Sequence, residues 1–328
     1  EGSEEALQLH RGERVSAFTI ASIPREELLA PGHRMCQGCG AAIVMRHLLK
    51  ALGKDIIIAH ATGCVEVTTS LYPETAWRVP WIHVAFENAA AVASGIEAAV
   101  KALKRKGLMN PEKKVKVVAI GGDGGTVDIG LQALSGMLER GHNVLYVLYD
   151  NEAYMNTGIQ RSGATPLYAW TTTTPAGKVW RGEWRRKKDI VGIVRAHGIP
   201  YVATVNFAYI SDFYVKLRKA SEIEGPTFIH AYAPCVPGWR YEPHLTVKIA
   251  KLAVQTGIWV NYEIDRGSFR VTTPVPKRLP VEEYLKTQGR FAHLMKEEVE
   301  LIQKLVDEDV DYINKLAGSV VVGPVERK

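Results

Sequence analysis

The stretch 115–158, VKVVAIGGDGGTVDIGLQALSGMLERGHNVLYVLYDNEAYMNTG, constrains the fold more than any other part of the chain. A β-branched run over 115–120 reads as a buried strand. A glycine-rich turn follows: Gly121, Gly122, Asp123, Gly124 and Gly125. A helical pattern comes next, with Ile129, Leu134 and Leu138 at compatible spacing, and it ends at Arg140 and Gly141. A second apolar strand over 144–149 runs into Asp150 and Asn151. The whole is a strand–loop–helix–strand unit with a polar tip after each strand.

Gly-rich turns of this kind hold phosphate, because backbone N–H groups at the helix start face the anion. Asp123 in the middle of the turn would repel a diphosphate unless a divalent cation lay between them. The expectation is therefore phosphate plus Mg²⁺, held by Asp123 and by oxygens at the next strand tip, where Asn151 stands. Two rivals stay open on local grounds. One is a dinucleotide turn of the G-x-G-x-x-G type, but Val127 takes its third glycine position and Asp150 lies far along for a ribose-binding acid. The other is a glycine turn with no ligand.

The four cysteines, Cys36, Cys39, Cys64 and Cys235, are too few for a disulfide framework in a chain of 328 residues. Cys36 and Cys39 form a C-x-x-C, while Cys64 and Cys235 each follow an apolar strand. Four thiolates suit a 4Fe–4S cluster or a tetrahedral zinc site, and buried or bridged cysteines are the third reading. The split second pair favours a cluster shared among loops, since zinc knuckles more often come as two C-x-x-C pairs.

Elsewhere the pattern alternates. Helices are expected over 41–52, 89–103, 190–196, 210–220 and 244–256, and strands over 55–59, 201–205 and 227–232. The alanines and Gly95 of 89–103 suggest close helix packing. A hairpin is expected over 259–271, turning at Asp265, Arg266 and Gly267, and a charged helical tail over 281–316. Residues 73–80 read as a loop, and 161–188 as a long polar segment ending in the basic run Arg185, Arg186, Lys187 and Lys188. That run reads first as a solvated face and second as a contact for an acidic partner or for ligand phosphates.

The fold expected is α/β: an open, mostly parallel sheet with helices on both faces. Ligands bind such sheets at the strands' carboxyl ends, which puts Gly63, Cys64, the glycine turn, Asp150, Asn151 and Cys235 on one edge. The domain reading is an N-terminal extension over 1–30, a core over 31–245, and a hairpin with helical tail over 246–328. A net charge of +6 without a clustered basic face gives no nucleic-acid signal. No run of roughly 20 apolar residues offers a membrane span. The first residues lack a secretory core. A cytoplasmic protein is expected.

Four stretches together carry a family resemblance: PGHRMCQGCGA at 31–41, ATGCVEVTTSLYPETAWRVPWIHVAFENAAA at 61–91, GGDGGTVDIGLQALSGMLERGHNVLYVLYDNEAYMNTGIQRSGATP at 121–166, and APCVPGWR at 233–240. On them the chain resembles the β subunits of 2-oxoacid:ferredoxin oxidoreductases, most closely the pyruvate synthase type. The resemblance implies the thiamine-diphosphate-binding fold, diphosphate-type domain. It implies thiamine diphosphate bound through Mg²⁺, with Asp123, Asn151 and the Ala153 carbonyl as metal ligands. Gly122, Gly124 and Gly125 would bring backbone to the diphosphate. Tyr154, Met155 and Cys64 would line the cofactor, and Asn156 would reach its reacting part, unless it is a turn-former bonding its own backbone. Cys36, Cys39, Cys64 and Cys235 would hold a 4Fe–4S cluster.

The activity implied is oxidative decarboxylation of pyruvate with coenzyme A to acetyl-CoA and CO₂, or its reverse. Electrons would pass singly through the cluster to ferredoxin. A branched-chain 2-oxoacid or oxalate is the alternative substrate, and a non-catalytic iron–sulfur subunit the alternative class. The pyrimidine-binding domain that activates thiamine in the family has no counterpart here. Glu66 and Glu87 are given helix-surface or packing roles instead. An α subunit is therefore expected to supply the activating glutamate, and γ- and δ-type subunits the coenzyme A contacts and ferredoxin-like clusters.

Overall fold

The computed structural model describes residues 18–71 and 74–326. Short aliphatic runs bounded by Gly, Pro and Asn become strands: β1 Ile56–Ala61, β2 Trp81–Val84, β3 Lys116–Gly122, β4 Val144–Asp150, β5 Tyr201–Asn206, β6 Thr227–Tyr232, β7 Tyr262–Asp265 and β8 Ser268–Val271. The helices are α1 Gly40–Leu52, α2 Cys64–Thr69, α3 Ala89–Arg105, α4 Leu131–Glu139, α5 Ile190–Arg195, α6 Ile210–Glu222, α7 Val236–Trp239, α8 Thr246–Gln255, α9 Glu282–Leu285 and α10 Lys296–Ala317.

The strands form one sheet in the order β2-β1-β3-β4-β6-β5-β7-β8. The first six run parallel, and the β7–β8 hairpin continues the sheet antiparallel beside β5. Side-chain alternation along the buried strands builds a core on each face. Val118 and Ile120 of β3, and Leu145 and Val147 of β4, join α1, α6 and α8 on one side. Val117 and Ala119, with Val144, Tyr146 and Leu148, join α3, α4 and α5 on the other. After β1 the chain leaves to β2 on one side and returns to β3 on the other. The crevice between the β1 and β3 tips is thus a topological switch point.

The structure alters several expectations. β2 follows the 73–80 loop, where no element was expected; it is an edge strand with β1 as its partner and few buried side chains, so no hydrophobic period marks it. The helix after the glycine turn does not begin with Ile129 on its apolar face. A π-helical turn over Gly124–Asp128 comes first, α4 starts at Leu131, and Ile129 is 54 % exposed. The charged tail is broken into α9, a 3₁₀ turn over Gly289–Phe291, and α10. Gly95 lies on the outer side of α3 and makes no close helix contact; Ala89, Ala90, Ala93 and Ser94 face inward. Residues 18–30, read as part of an extension, pack on the core through buried Leu28 and Leu29 and an Arg46–Glu27 pair at 2.6 Å. Residues 1–17, and 72–73 next to the 73–80 loop, lie outside the described residues.

Two glycines separate steric need from helix propensity. A Cβ at Gly130 would lie 2.1 Å from the Gly125 carbonyl oxygen, while one at Gly95 meets nothing within 4 Å. Gly130→Ala should destabilise by roughly 2 kcal/mol or more. Gly95→Ala in mid-helix should stabilise by about 0.5–1 kcal/mol. Thermal midpoints of the two variants, moving in opposite directions, check this.

Candidate active site

Four neighbouring strands, β1, β3, β4 and β6, end side by side, and the polar tips expected from the sequence meet there. A cavity of about 230 Å³ opens at this edge. Its walls include Thr62, Cys64, the glycine turn with Asp123, and the loop after β4 with Asn151, Ala153, Tyr154, Met155 and Asn156. Thr62 and Phe86 were not expected; both come from strand ends whose sequence carries no chemical signature.

Asp123 is 1 % exposed. One oxygen accepts from the Asn151 backbone N–H at 3.3 Å, the other from the Ser162 hydroxyl. Burial first, and then the Asp150 charge, push its carboxyl well above the usual range, against the Ser162 hydrogen bond. The Asn151 amide tip lies 2.8 Å from Asp123 Oδ1 and 2.8 Å from the Ala153 carbonyl oxygen. With its nitrogen inward, Asn151 donates to both. With its oxygen inward, three oxygens meet with no proton between them. Oxygens around octahedral Mg²⁺ stand roughly 2.9 Å apart along each edge. The donor set therefore fits that cation.

The turn after Asp123 is shaped by close approach. A Cβ at Gly124 would lie 2.4 Å from the Tyr154 ring. Tyr154 is itself anchored, donating to Asp128 Oδ2 at 3.0 Å. Asn156 is exposed on the cavity wall in a turn closed by the Gly158 N–H to Met155 O bond; its side chain makes no bond to its own backbone.

Behind the loop lies a buried ionic network that sequence reasoning missed. Lys187 Nζ donates to Asp150 Oδ2 at 2.9 Å and to Glu152 Oε1 at 2.8 Å, and His230 Nε2 meets Asp150 Oδ2 at 2.9 Å. Burial pushes the Asp150 carboxyl up, but Lys187 and His230 pull it further down, below the usual range. Of the basic run read as a solvated face, only Lys187 turns inward; Arg185, Arg186 and Lys188 stay exposed, as that reading expects. Arg185 pairs with Glu183, Arg186 with Asp309 and Lys188 with Asp128 at the surface. A run of four basic residues ahead of a helix gives no hint that one of them points inward.

The cysteines come from three chain segments to one corner: the C-x-x-C loop, the start of α2 and the start of α7. The C-x-x-C loop is tied to the Cys235 loop by the Gly40 N–H to Pro234 O bond at 3.0 Å, and to the start of α8 by Thr246 Oγ1 donating to Gly38 O at 2.6 Å. All four are free thiols, so no disulfide forms. Burial and then the charges of Cys235, Cys39 and Cys36 raise Cys64 far above its ordinary value, and Cys235 is pushed up to about 12, chiefly by burial. Among the described residues no three His, Cys, Asp or Glu side chains gather round a single-ion position. Glu66 is buried, not on a helix surface; it accepts from Ser70 and faces His83, which bonds Thr62 at 2.7 Å. Glu87 is exposed.

Residues 61–231 match the family model described as "Thiamine pyrophosphate enzyme, C-terminal TPP binding domain", so the fold and this edge of it define a thiamine-pyrophosphate-enzyme domain. The chain is 63 % identical to pyruvate synthase subunit PorB of Methanocaldococcus jannaschii, covering 88 % of this chain and 97 % of that one. It is 50 % identical to ketoisovalerate oxidoreductase subunit VorB of Pyrococcus abyssi, over 90 % and 95 %. The fold is shared with 2-oxoglutarate:ferredoxin oxidoreductase from Magnetococcus marinus at a TM-score of 0.52 and 21 % identity, over 72 % of this chain and 84 % of that one. The chain belongs to the 2-oxoacid:ferredoxin oxidoreductase family, among the PorB-type subunits. Among the described residues no helix is long and apolar enough to cross a membrane.

The network sets an acid limit. A carboxylate whose folded pKa is depressed contributes stability above its unfolded value of about 3.9 and loses it as pH falls through the folded value. Lys187→Met leaves Asp150 with His230 alone and Glu152 with Arg290 alone, and should cost roughly 3 kcal/mol. Acid-unfolding curves should show the variant's midpoint moved to higher pH.

Proposed function

We propose that this chain is the catalytic β subunit of a pyruvate:ferredoxin oxidoreductase, binding Mg²⁺–thiamine diphosphate at the β3 and β4 tips and a 4Fe–4S cluster through Cys36, Cys39, Cys64 and Cys235. The observation that carries the reading is the meeting of the Asp123, Asn151 and Ala153 oxygens beside a glycine turn. Identity of 63 % to a pyruvate synthase subunit supports pyruvate as substrate, and 50 % to a ketoisovalerate oxidoreductase subunit keeps a branched-chain 2-oxoacid as the second reading.

Bound thiamine diphosphate supplies the electron sink for 2-oxoacid decarboxylation, and the cluster takes electrons one at a time. The protein's part is placement. Asp123, Asn151 and Ala153 would hold the cation, and Gly122, Gly124 and Gly125 leave room for diphosphate against the backbone. Tyr154, braced by Asp128, backs that turn, and Asn156 offers a free amide at the cavity wall. Cys64 belongs both to the cavity wall and to the thiol corner. Met155 lines the cavity and lies against Gly238, whose Cβ would fall 2.2 Å from its sulfur and 3.3 Å from Cys235 Sγ. The path between the two sites is therefore one side chain long.

A cavity of about 230 Å³ is smaller than the roughly 300–1,000 Å³ of a complete small-molecule site. That supports completion by an α subunit bearing the pyrimidine contacts, with γ- and δ-type subunits for coenzyme A and ferredoxin.

The purified complex should reduce ferredoxin or a dye with pyruvate and coenzyme A when offered a panel of 2-oxoacids; preference for another acid overturns the substrate assignment. Asp123→Asn should weaken Mg²⁺–thiamine diphosphate binding by roughly a hundredfold in calorimetry. Burial pushes the Asp123 carboxyl upward, so cation binding should displace a proton and affinity should rise with pH. Titrations in buffers of different ionisation enthalpy read that proton directly.

A further inference from the structure

Arg290 lies in the 3₁₀ turn Gly289–Phe291, beyond the residues the family model spans, and is 2 % exposed. One guanidinium nitrogen stands 2.6 Å from Glu152 Oε2, and its central carbon lies 3.8 Å from the centroid of the Trp239 ring. Both partners lead to the proposed cofactor sites. Glu152 sits between Asn151 and Ala153, with a backbone φ of 68°. A non-glycine residue in that region is strained and persists where its surroundings hold it. Here the hold is chemical: Lys187 and Arg290 grip the carboxylate, Thr165 Oγ1 donates to Glu152 O at 2.7 Å, and the Glu152 N–H donates to Asp150 Oδ1 at 3.0 Å.

Trp239 faces the other way as well. Its indole N–H donates to Asn151 O at 2.8 Å, and its backbone N–H to Cys235 O at 2.9 Å. The ring under Arg290 thus ties the cation loop to the cysteine loop. Stacking of a planar guanidinium on indole is a contact a lysine cannot reproduce.

We propose that Arg290 is a positioning residue shared by both cofactor sites: through Glu152 it fixes the loop bearing Asn151 and Ala153, and through Trp239 it sets a buried positive charge beside the Cys235 loop that raises the reduction potential of the cluster. The inference rests on the function proposed above. A buried cation favours the added electron, since hydrogen bonds and local charge set cluster potentials.

The test uses the purified complex with all its subunits, as wild type, Arg290→Gln and Arg290→Lys. Two quantities are measured: the dissociation constant of Mg²⁺–thiamine diphosphate in cofactor-stripped complex, and the midpoint potential of the cluster by EPR titration. Arg290→Gln should raise the dissociation constant about tenfold, within the range for residues that orient metal ligands. It should also move the midpoint to more negative potential by about a tenfold change in the one-electron equilibrium, roughly 59 mV. Arg290→Lys keeps the charge but not the stack, so its potential should stay at the wild-type value while its affinity falls between the two. Wild-type values for Arg290→Gln in both measurements overturn the proposal, as does a potential in Arg290→Lys that follows Arg290→Gln. If Arg290→Gln does not assemble, the lysine variant alone decides: wild-type affinity in it refutes the positioning role. A wild-type complex lacking the cluster signal or cofactor binding would instead overturn the underlying function.

Discussion

The site turns on two buried carboxylates one strand apart that are treated differently. Asp150 ends β4 with Lys187 and His230 against it, so its charge is matched within the chain. Asp123 ends β3 with a hydroxyl and an amide and no ion pair of its own. Taking an ionised carboxylate out of water is costly unless a positive charge meets it. The protein spends its buried cations on the neighbour and leaves Asp123 for a cation from outside. That asymmetry, more than the glycines around it, is why we read the turn as a metal–diphosphate site.

The sheet makes the asymmetry possible. Parallel strands buried on both faces deliver all their tips to one edge, and the order β1-β3-β4-β6 puts thiol, carboxylate, amide and thiol in a row. Segments far apart in the chain then lock the arrangement from behind. The long 161–188 segment contributes Ser162 and Lys187, and the tail contributes Arg290. The C-terminal region is therefore part of the site's support as much as of the fold's exterior.

Much of this was legible in the sequence. Aliphatic runs and glycine breakers mark the buried strands, and β3, β4 and β6 fall within a residue or two of expectation because burial on both faces leaves an unbroken hydrophobic signal. The edge strand β2 escaped because its side chains are mostly exposed and carry no period. The π turn escaped because Ile129 looks like a core residue at the right spacing; one extra residue in the turn rotates it outward. The expected cavity-wall residues Asp123, Asn151, Ala153 and Cys64 are gathered as their strand ends suggest.

The sequence by itself determined the strand tips, the glycine turn and the four cysteines, since these depend on local conformation and on residue chemistry. Only the tertiary structure decided which charges are buried and with whom. Lys187 looks like its basic neighbours and Arg290 like any residue of a charged tail, yet both end inside, facing Glu152. Pairing between segments far apart in the chain is set by where the sheet and its loops bring two groups together in a low-dielectric interior, and no local pattern of residues encodes that distance.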